Sequence, residues 1–166
     1  MKHLLLGTVA ATALAGAAYA ASHTSEVKVG ILLGYTGPIE SLTPPMADSA
    51  ELALKEMNDS GMLPDGKMFV PVRADSTCVD AGAATAAAER LVTSDGVAAI
   101  MGADCSGVTG AVLANVAVPN GVTMISPSAT SPALSTAEDN GLFFRTSPSD
   151  ARQGAVLAEI LASKGI

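Results

Sequence analysis

The chain has 166 residues, a formal net charge of −7, and 49 % hydrophobic against 15 % charged side chains. That is enough material for one domain of ordinary size with its own core, and too acidic a balance for nucleic acid or an anionic membrane surface to be its partner. The histidines are His3 and His23, both close to the N-terminus, so the body of the chain lacks the imidazole needed for Ser-His-Asp or Cys-His catalysis or for a histidine-ligated zinc site.

In chain order, Lys2 is a positive n-region, Leu4 to Ala15 an apolar h-region and Ala18-Tyr19-Ala20 an A-x-A cleavage site. Residues 1–20 therefore read as a cleaved secretory leader. The apolar run falls short of the ~20 residues a membrane span needs. Secretion puts the remaining chain, 21–166, in an oxidising compartment. There an even pair of cysteines, Cys78 and Cys105, reads as a disulfide, the alternative being two unrelated buried thiols.

Glu26 to Leu33 predicts the first strand, ended by the turn residues Gly34-Tyr35-Thr36-Gly37-Pro38. Met46, Ala50, Leu54 and Met57 recur at helical spacing from Pro45 to Ser60, and Gly61 stops that helix. Lys67 to Ala74 predicts a second strand in which Pro71 points to an edge position or an irregularity. Asp80 caps an alanine-rich helix over 81–94. A strand over Val97 to Met101, a helix from Ser106 to about Val118 interrupted by Pro119-Asn120-Gly121, and a strand over Val122 to Ile125 follow. Pro132 to Ala137 suits one helical turn, Gly141 to Arg145 a short strand, and Ser149-Asp150 cap a last helix running to Lys164. Strands alternating with helices predict an α/β fold, a parallel sheet with right-handed crossovers and helices on both faces.

The chemistry concentrates in two loops. Gly102-Ala103-Asp104-Cys105-Ser106-Gly107 and Ser126-Pro127-Ser128-Ala129-Thr130-Ser131-Pro132 each follow a short apolar strand, and in open parallel sheets ligands bind outside the carboxyl ends of strands. Ser106 at a helix start and Ser128 to Thr130 offer hydroxyls and free N–H groups suited to a small carboxylate. The plainer reading is that Ser106 is a helix cap and the second loop only a turn. There is no G-x-S-x-G elbow, P-loop or G-x-G-x-x-G after the first strand, so no cofactor is implied. Asp75 and Asp104 lie near the cysteines and could approach one another, although most such residues cap helices or stay solvated. Tyr35 and Arg73, also at strand ends, read as packing or solvated residues before ligand contacts.

Taken together, the leader, Gly37-Pro38, Asp75-Ser76-Thr77-Cys78, Gly102 to Gly107, Met124-Ile125-Ser126-Pro127-Ser128-Ala129-Thr130-Ser131-Pro132 and Phe144-Arg145-Thr146 resemble the periplasmic branched-chain amino-acid-binding proteins. These are the solute receptors of ABC importers for leucine, isoleucine and valine. The resemblance implies a periplasmic location, a Rossmann-like lobe of a type I periplasmic binding fold, a small amino acid or carboxylate as ligand and a membrane ABC permease as partner. It also implies roles: Ser106 and Thr130 on the α-carboxylate, the Ser128 carbonyl on the ammonium, Ala129 lining the site, and a disulfide between Cys78 and Cys105. Where typical members place an aromatic against the ligand side chain, this sequence has Leu42.

Family members have two lobes that close on the ligand, and the second supplies the acidic partner of the ammonium. Residues 21–166 match the N-terminal lobe, so the sequence is expected to be an incomplete, N-terminal part, with an exposed strand edge prone to aggregation and weak or no binding alone. Two other readings stand beside this one. A ligand-sensing ectodomain or regulator would use the same lobe, and a periplasmic hydrolase would use Ser106 as nucleophile, against which the missing histidine counts.

Overall fold

The computed structural model describes residues 25–166. The predicted leader, 1–20, and His23 lie outside the described residues. The strands are β1 (Glu26–Leu33), β2 (Met68–Asp75), β3 (Ala99–Gly102), β4 (Thr123–Ser126) and β5 (Phe143–Arg145). They form one sheet in the order β2-β1-β3-β4-β5, with every neighbouring pair parallel. The expected parallel α/β architecture is thus what the chain adopts. Pro71 lies on β2 at the edge, where the missing N–H is one that no neighbouring strand needs.

Helix α1 (Thr43–Asp59) covers one face; α2 (Ala81–Arg90) and α3 (Ser106–Val112) cover the other. The alternation of side chains along each strand sorts the core accordingly. Leu32, Ile100, Met124 and Phe143 pack with Ala84, Ala88, Leu91, Val108 and Val112 under α2 and α3. Ile31 and Leu33 pack with Ala47 under α1. Alanine at 84 and 88 lets α2 lie close to the sheet, and Gly30 leaves room for Leu91, whose Cδ1 would stand 3.0 Å from a Cβ placed there.

Several boundaries differ from those predicted. Helix α1 begins at Thr43, ahead of Pro45, because proline gives up no needed N–H in a first turn and the Thr43 hydroxyl donates to the Gly34 carbonyl (3.1 Å). Helix α2 widens into a π-helical turn over Leu91–Asp95, closed by left-handed Gly96. Helix α3 widens likewise over Leu113–Ala117 and runs on through a short α4 (Val118–Asn120) to left-handed Gly121. Pro119 does not interrupt it, since it falls in a fresh first turn. Strands β3 and β4 therefore start later than predicted, at Ala99 and Thr123.

Between β4 and β5 there is only a 3-10 turn, Pro132–Ser135, whose Leu134 is buried in the α2/α3-side core. As a result the α1-side face of β4 and β5 is thinly covered. Ile125 and Phe144 are exposed, and an open apolar groove of about 400 Å³ runs between Met46 and Ala50 of α1 and Met101, Ile125 and Pro127. The last helix, α5 (Asp150–Ser163), is capped by Ser149 and buries none of its residues. Among the described residues no helix is long and apolar enough to cross a membrane.

Candidate functional site

The strand order reverses between β1 and β3, and the loops after those strands, with the one after β4, meet at the sheet's carboxyl end. This is the position that open α/β sheets reserve for ligands. Each loop is held by side chains from its neighbours.

The β3 loop is fixed from below by buried hydroxyls. The Ala103 carbonyl accepts from Ser126 Oγ (2.5 Å) and Thr109 Oγ1 (3.0 Å). Ser126 Oγ in turn accepts the Ala129 N–H (3.0 Å). Ser126, Thr109 and Ala129 are all fully buried, so these bonds satisfy groups that would be costly to leave unpaired.

Above this layer the predicted site residues come together. Ser106 Oγ accepts the N–H groups of Thr130 and Ser131, each at 3.1 Å. Among the described residues nothing accepts the Ser106 hydroxyl proton. Ser128 Oγ donates to the Asp104 carbonyl (2.9 Å). Carbonyl groups in the β4 loop are mostly occupied: Pro127 accepts from Thr146 (3.2 Å), Ala129 from Ser147 (3.1 Å) and Arg145 (3.3 Å), Ser131 from Arg145 (2.8 Å), and Thr130 from the Asp150 N–H (2.9 Å). The Ser128 carbonyl is the one from Pro127 to Ser131 that receives no hydrogen bond among the described residues. A donor proton and a free acceptor are thereby presented in one small area. Leu42 is not drawn into this cluster; it stands exposed just before α1.

Asp150 belongs to the cluster although in the sequence it reads only as a helix cap. Thr130 Oγ1 donates to Asp150 Oδ2 (3.0 Å), which puts a carboxylate beside the Ser128–Thr130 segment. Asp104, expected to approach Asp75, lies in the same cluster of loops. Its buried carboxylate is bonded not to Asp75 but to Ser76 Oγ (3.1 Å), the Gly34 N–H (2.7 Å) and the Cys105 N–H (2.9 Å). Cys78 and Cys105 are joined as a disulfide, tying the loop after β2 to the start of α3.

Asp75 serves the β1 loop. Burial acts to raise its pKa, but hydrogen bonds from Thr36 Oγ1 (2.6 Å) and the Thr77 N–H (2.8 Å) outweigh that and hold it below 3.8. A depressed folded-state pKa contributes stability above the unfolded value that is lost as pH falls through the folded one. Replacing Thr36 by Val is expected to move Asp75's titration back toward its ordinary value, as read by NMR of the carboxyl carbon. At the same end of the sheet the Arg73 guanidinium lies 5.8 Å from the Tyr35 ring centroid and pairs with Asp48 (2.7 Å) and Glu51 (2.6 Å). Burial pushes the Tyr35 hydroxyl up to about 12, against the lowering pull of Arg73.

Comparison with known proteins agrees with this geometry. The sequence profile of a family described as periplasmic binding protein matches residues 26–166. The Leu/Ile/Val-binding protein homolog 1 of Brucella abortus is 32% identical over 163 residues, 97% of this chain and 42% of that protein. A branched-chain amino acid transporter substrate binding protein of Streptococcus pneumoniae, solved with isoleucine, superposes with a TM-score of 0.68 at 32% identity, over 76% of this chain and 35% of that one. An R. palustris ABC-transporter solute binding protein solved with benzoate gives a TM-score of 0.71 at 26% identity, over 86% of this chain and 38% of that one. The chain spans about two fifths of the length of the curated relatives it matches. Fold and sequence profile coincide, and the chain belongs to the periplasmic binding protein family.

Proposed function

We propose that residues 21–166 form the N-terminal lobe of an ABC-transporter substrate-binding protein. It captures a branched-chain or related aliphatic amino acid, or another small carboxylate, in the periplasm without catalysis and delivers it to a membrane permease. The observation that carries this reading is the pairing of an unaccepted Ser106 hydroxyl proton with an unoccupied Ser128 carbonyl on the same loop cluster. An α-amino acid offers the complement, a carboxylate for the first and an ammonium for the second.

In this reading Ser106 donates to the α-carboxylate and the ammonium settles against the Ser128 carbonyl, with Asp150 beside it in addition to the acidic group expected from the second lobe. That displaces the Thr130 hydroxyl from Asp150, and Thr130 turns its proton to the carboxylate. Charge-assisted bonds of this kind are about twice as strong as neutral ones. Ala129 walls the site, and Leu42 faces the ligand side chain once a second lobe closes over it. Among the described residues the hydrogen-bond partners of the Ser106 hydroxyl are the N–H groups of Thr130 and Ser131, an arrangement suited to binding rather than to activating a nucleophile.

The test is calorimetric titration of the full-length protein with leucine, isoleucine, valine and benzoate. Binding of the aliphatic amino acids is expected. Ser106→Ala should weaken it by about tenfold or more, the worth of one hydrogen bond to a charged group. Thr130→Val should also weaken it while leaving the melting temperature unchanged, and Asp150→Asn should weaken amino acids but not benzoate. Unaltered affinity in Thr130→Val would remove it from the carboxylate site, and tight benzoate with no amino-acid binding would move the ligand class to aromatic acids.

A further inference from the structure

Among the described residues Asp104 is the one that bonds to the loops following β1, β2 and β4 as well as within its own loop after β3. Its Oδ2 accepts the Gly34 N–H after β1 (2.7 Å), and its Oδ1 accepts from Ser76 after β2 (3.1 Å) and from the Cys105 N–H in its own loop (2.9 Å). Its main-chain carbonyl accepts from Ser128 after β4 (2.9 Å). The side chain is 3 % exposed and Ser76 is fully buried. A carboxylate withdrawn from water this far is stable only if its oxygens are well supplied with donors, and here each donor comes from a loop that forms the site. The bond to Gly34 also crosses the point where the strand order reverses, so Asp104 spans the crevice. Gly34 has no spare room: a Cβ there would meet Asp104 Oδ2 at 3.3 Å and the Cys78 Cβ at 3.2 Å.

We infer that Asp104 is a positioning residue of the ligand site, holding the peptide before Ser106 at the register in which the Ser106 hydroxyl caps the Thr130 and Ser131 amides. It touches no ligand itself. Its effect passes through the Cys105 N–H to Ser106 on one side and through Ser128 Oγ to the ammonium-facing carbonyl on the other. In what it says of ligand affinity this inference rests on the function proposed above. What it says of loop geometry does not.

The experiment is residue-resolved amide hydrogen exchange on the full-length protein, with isoleucine titration in parallel. Asn in place of Asp104 sets an NH2 group against an N–H or hydroxyl donor. Asp104→Asn is expected to speed exchange at Thr130 and Ser131 about tenfold relative to Ile31 and Ile100, and to weaken isoleucine by a similar factor, as loss of one charge-assisted bond would. Equal acceleration at all four amides, or none at Thr130 and Ser131, overturns the inference. Should Asp104→Asn fail to fold, Ser76→Ala keeps the carboxylate and both N–H donors. It should raise exchange at Thr130 and Ser131 a few-fold and leave Ile31 and Ile100 alone; a flat result overturns the inference equally. If the wild-type protein binds no isoleucine, the ligand assignment falls, and the exchange pattern still decides the role of Asp104.

Discussion

Gly102→Ala is expected to be the most damaging single substitution in the sheet. Gly102 ends β3 at φ +136, and a Cβ there would lie 2.1 Å from the carbonyl oxygen of Leu32 on the adjacent strand. The obstacle is the backbone of a fully buried residue paired on both sides in the sheet, so it cannot swing aside. Overpacking and an unfavourable backbone region together should cost roughly 3 kcal/mol or more, seen as a large drop in the urea midpoint. The damage would also be functional, because Ala103 and Asp104 follow directly and Ser106 would be displaced with them. A midpoint within ~0.5 kcal/mol of wild type, the usual range for a surface substitution, would show that β1 and β3 do not approach as described.

Reduction of the Cys78–Cys105 bond, or Cys78→Ser with Cys105→Ser, should be the next largest effect. The bond closes a sequence separation of 27 residues, for which chain entropy gives roughly 3 to 4 kcal/mol. It also restrains a segment in which Thr77 and Cys78 both take positive φ without being glycine. Denaturant unfolding with and without reductant measures the loss. Because the bond joins the β2 loop to the residue before Ser106, ligand affinity should fall along with stability. Equal stability in both redox states would mean that Asp104 alone suffices to hold these loops.

Much of the architecture was readable because it depends on local signals. Alternating strands and helices announced the parallel sheet, Pro71 marked an edge, and Asp80 and Ser149 cap the helices they were expected to cap. The π-helical turns at Leu91 and Leu113 were not readable, because they arise where a helix adjusts its exit to meet a left-handed glycine and the next strand. The site was half legible. Small hydroxyl residues after buried strands pointed to Ser106 and the Ser128–Thr130 loop, which the structure joins through the Ser106 hydroxyl. Asp150 was passed over because an aspartate beside a helix start has an adequate local explanation, and Asp104 was considered only as a possible neighbour of Asp75. Only the fold shows that their partners are Gly34, Ser76 and Thr130, residues distant in sequence. Leu42 owed its place to resemblance and stands exposed just before α1.

The sheet's two margins have a bearing on how the protein behaves at high concentration. One margin is β2, broken as a hydrogen-bonding template by Pro71; the other is β5, only three residues long. Short or proline-bearing edges are the means by which natural sheets refuse an incoming strand from another molecule. In place of the edge-driven aggregation expected from the sequence, self-association of this lobe should therefore proceed by side-chain contact over Ile125 and Phe144 and yield amorphous, salt-promoted clusters. Ordered cross-β growth, with its thioflavin signal, should not occur while the sheet stays folded.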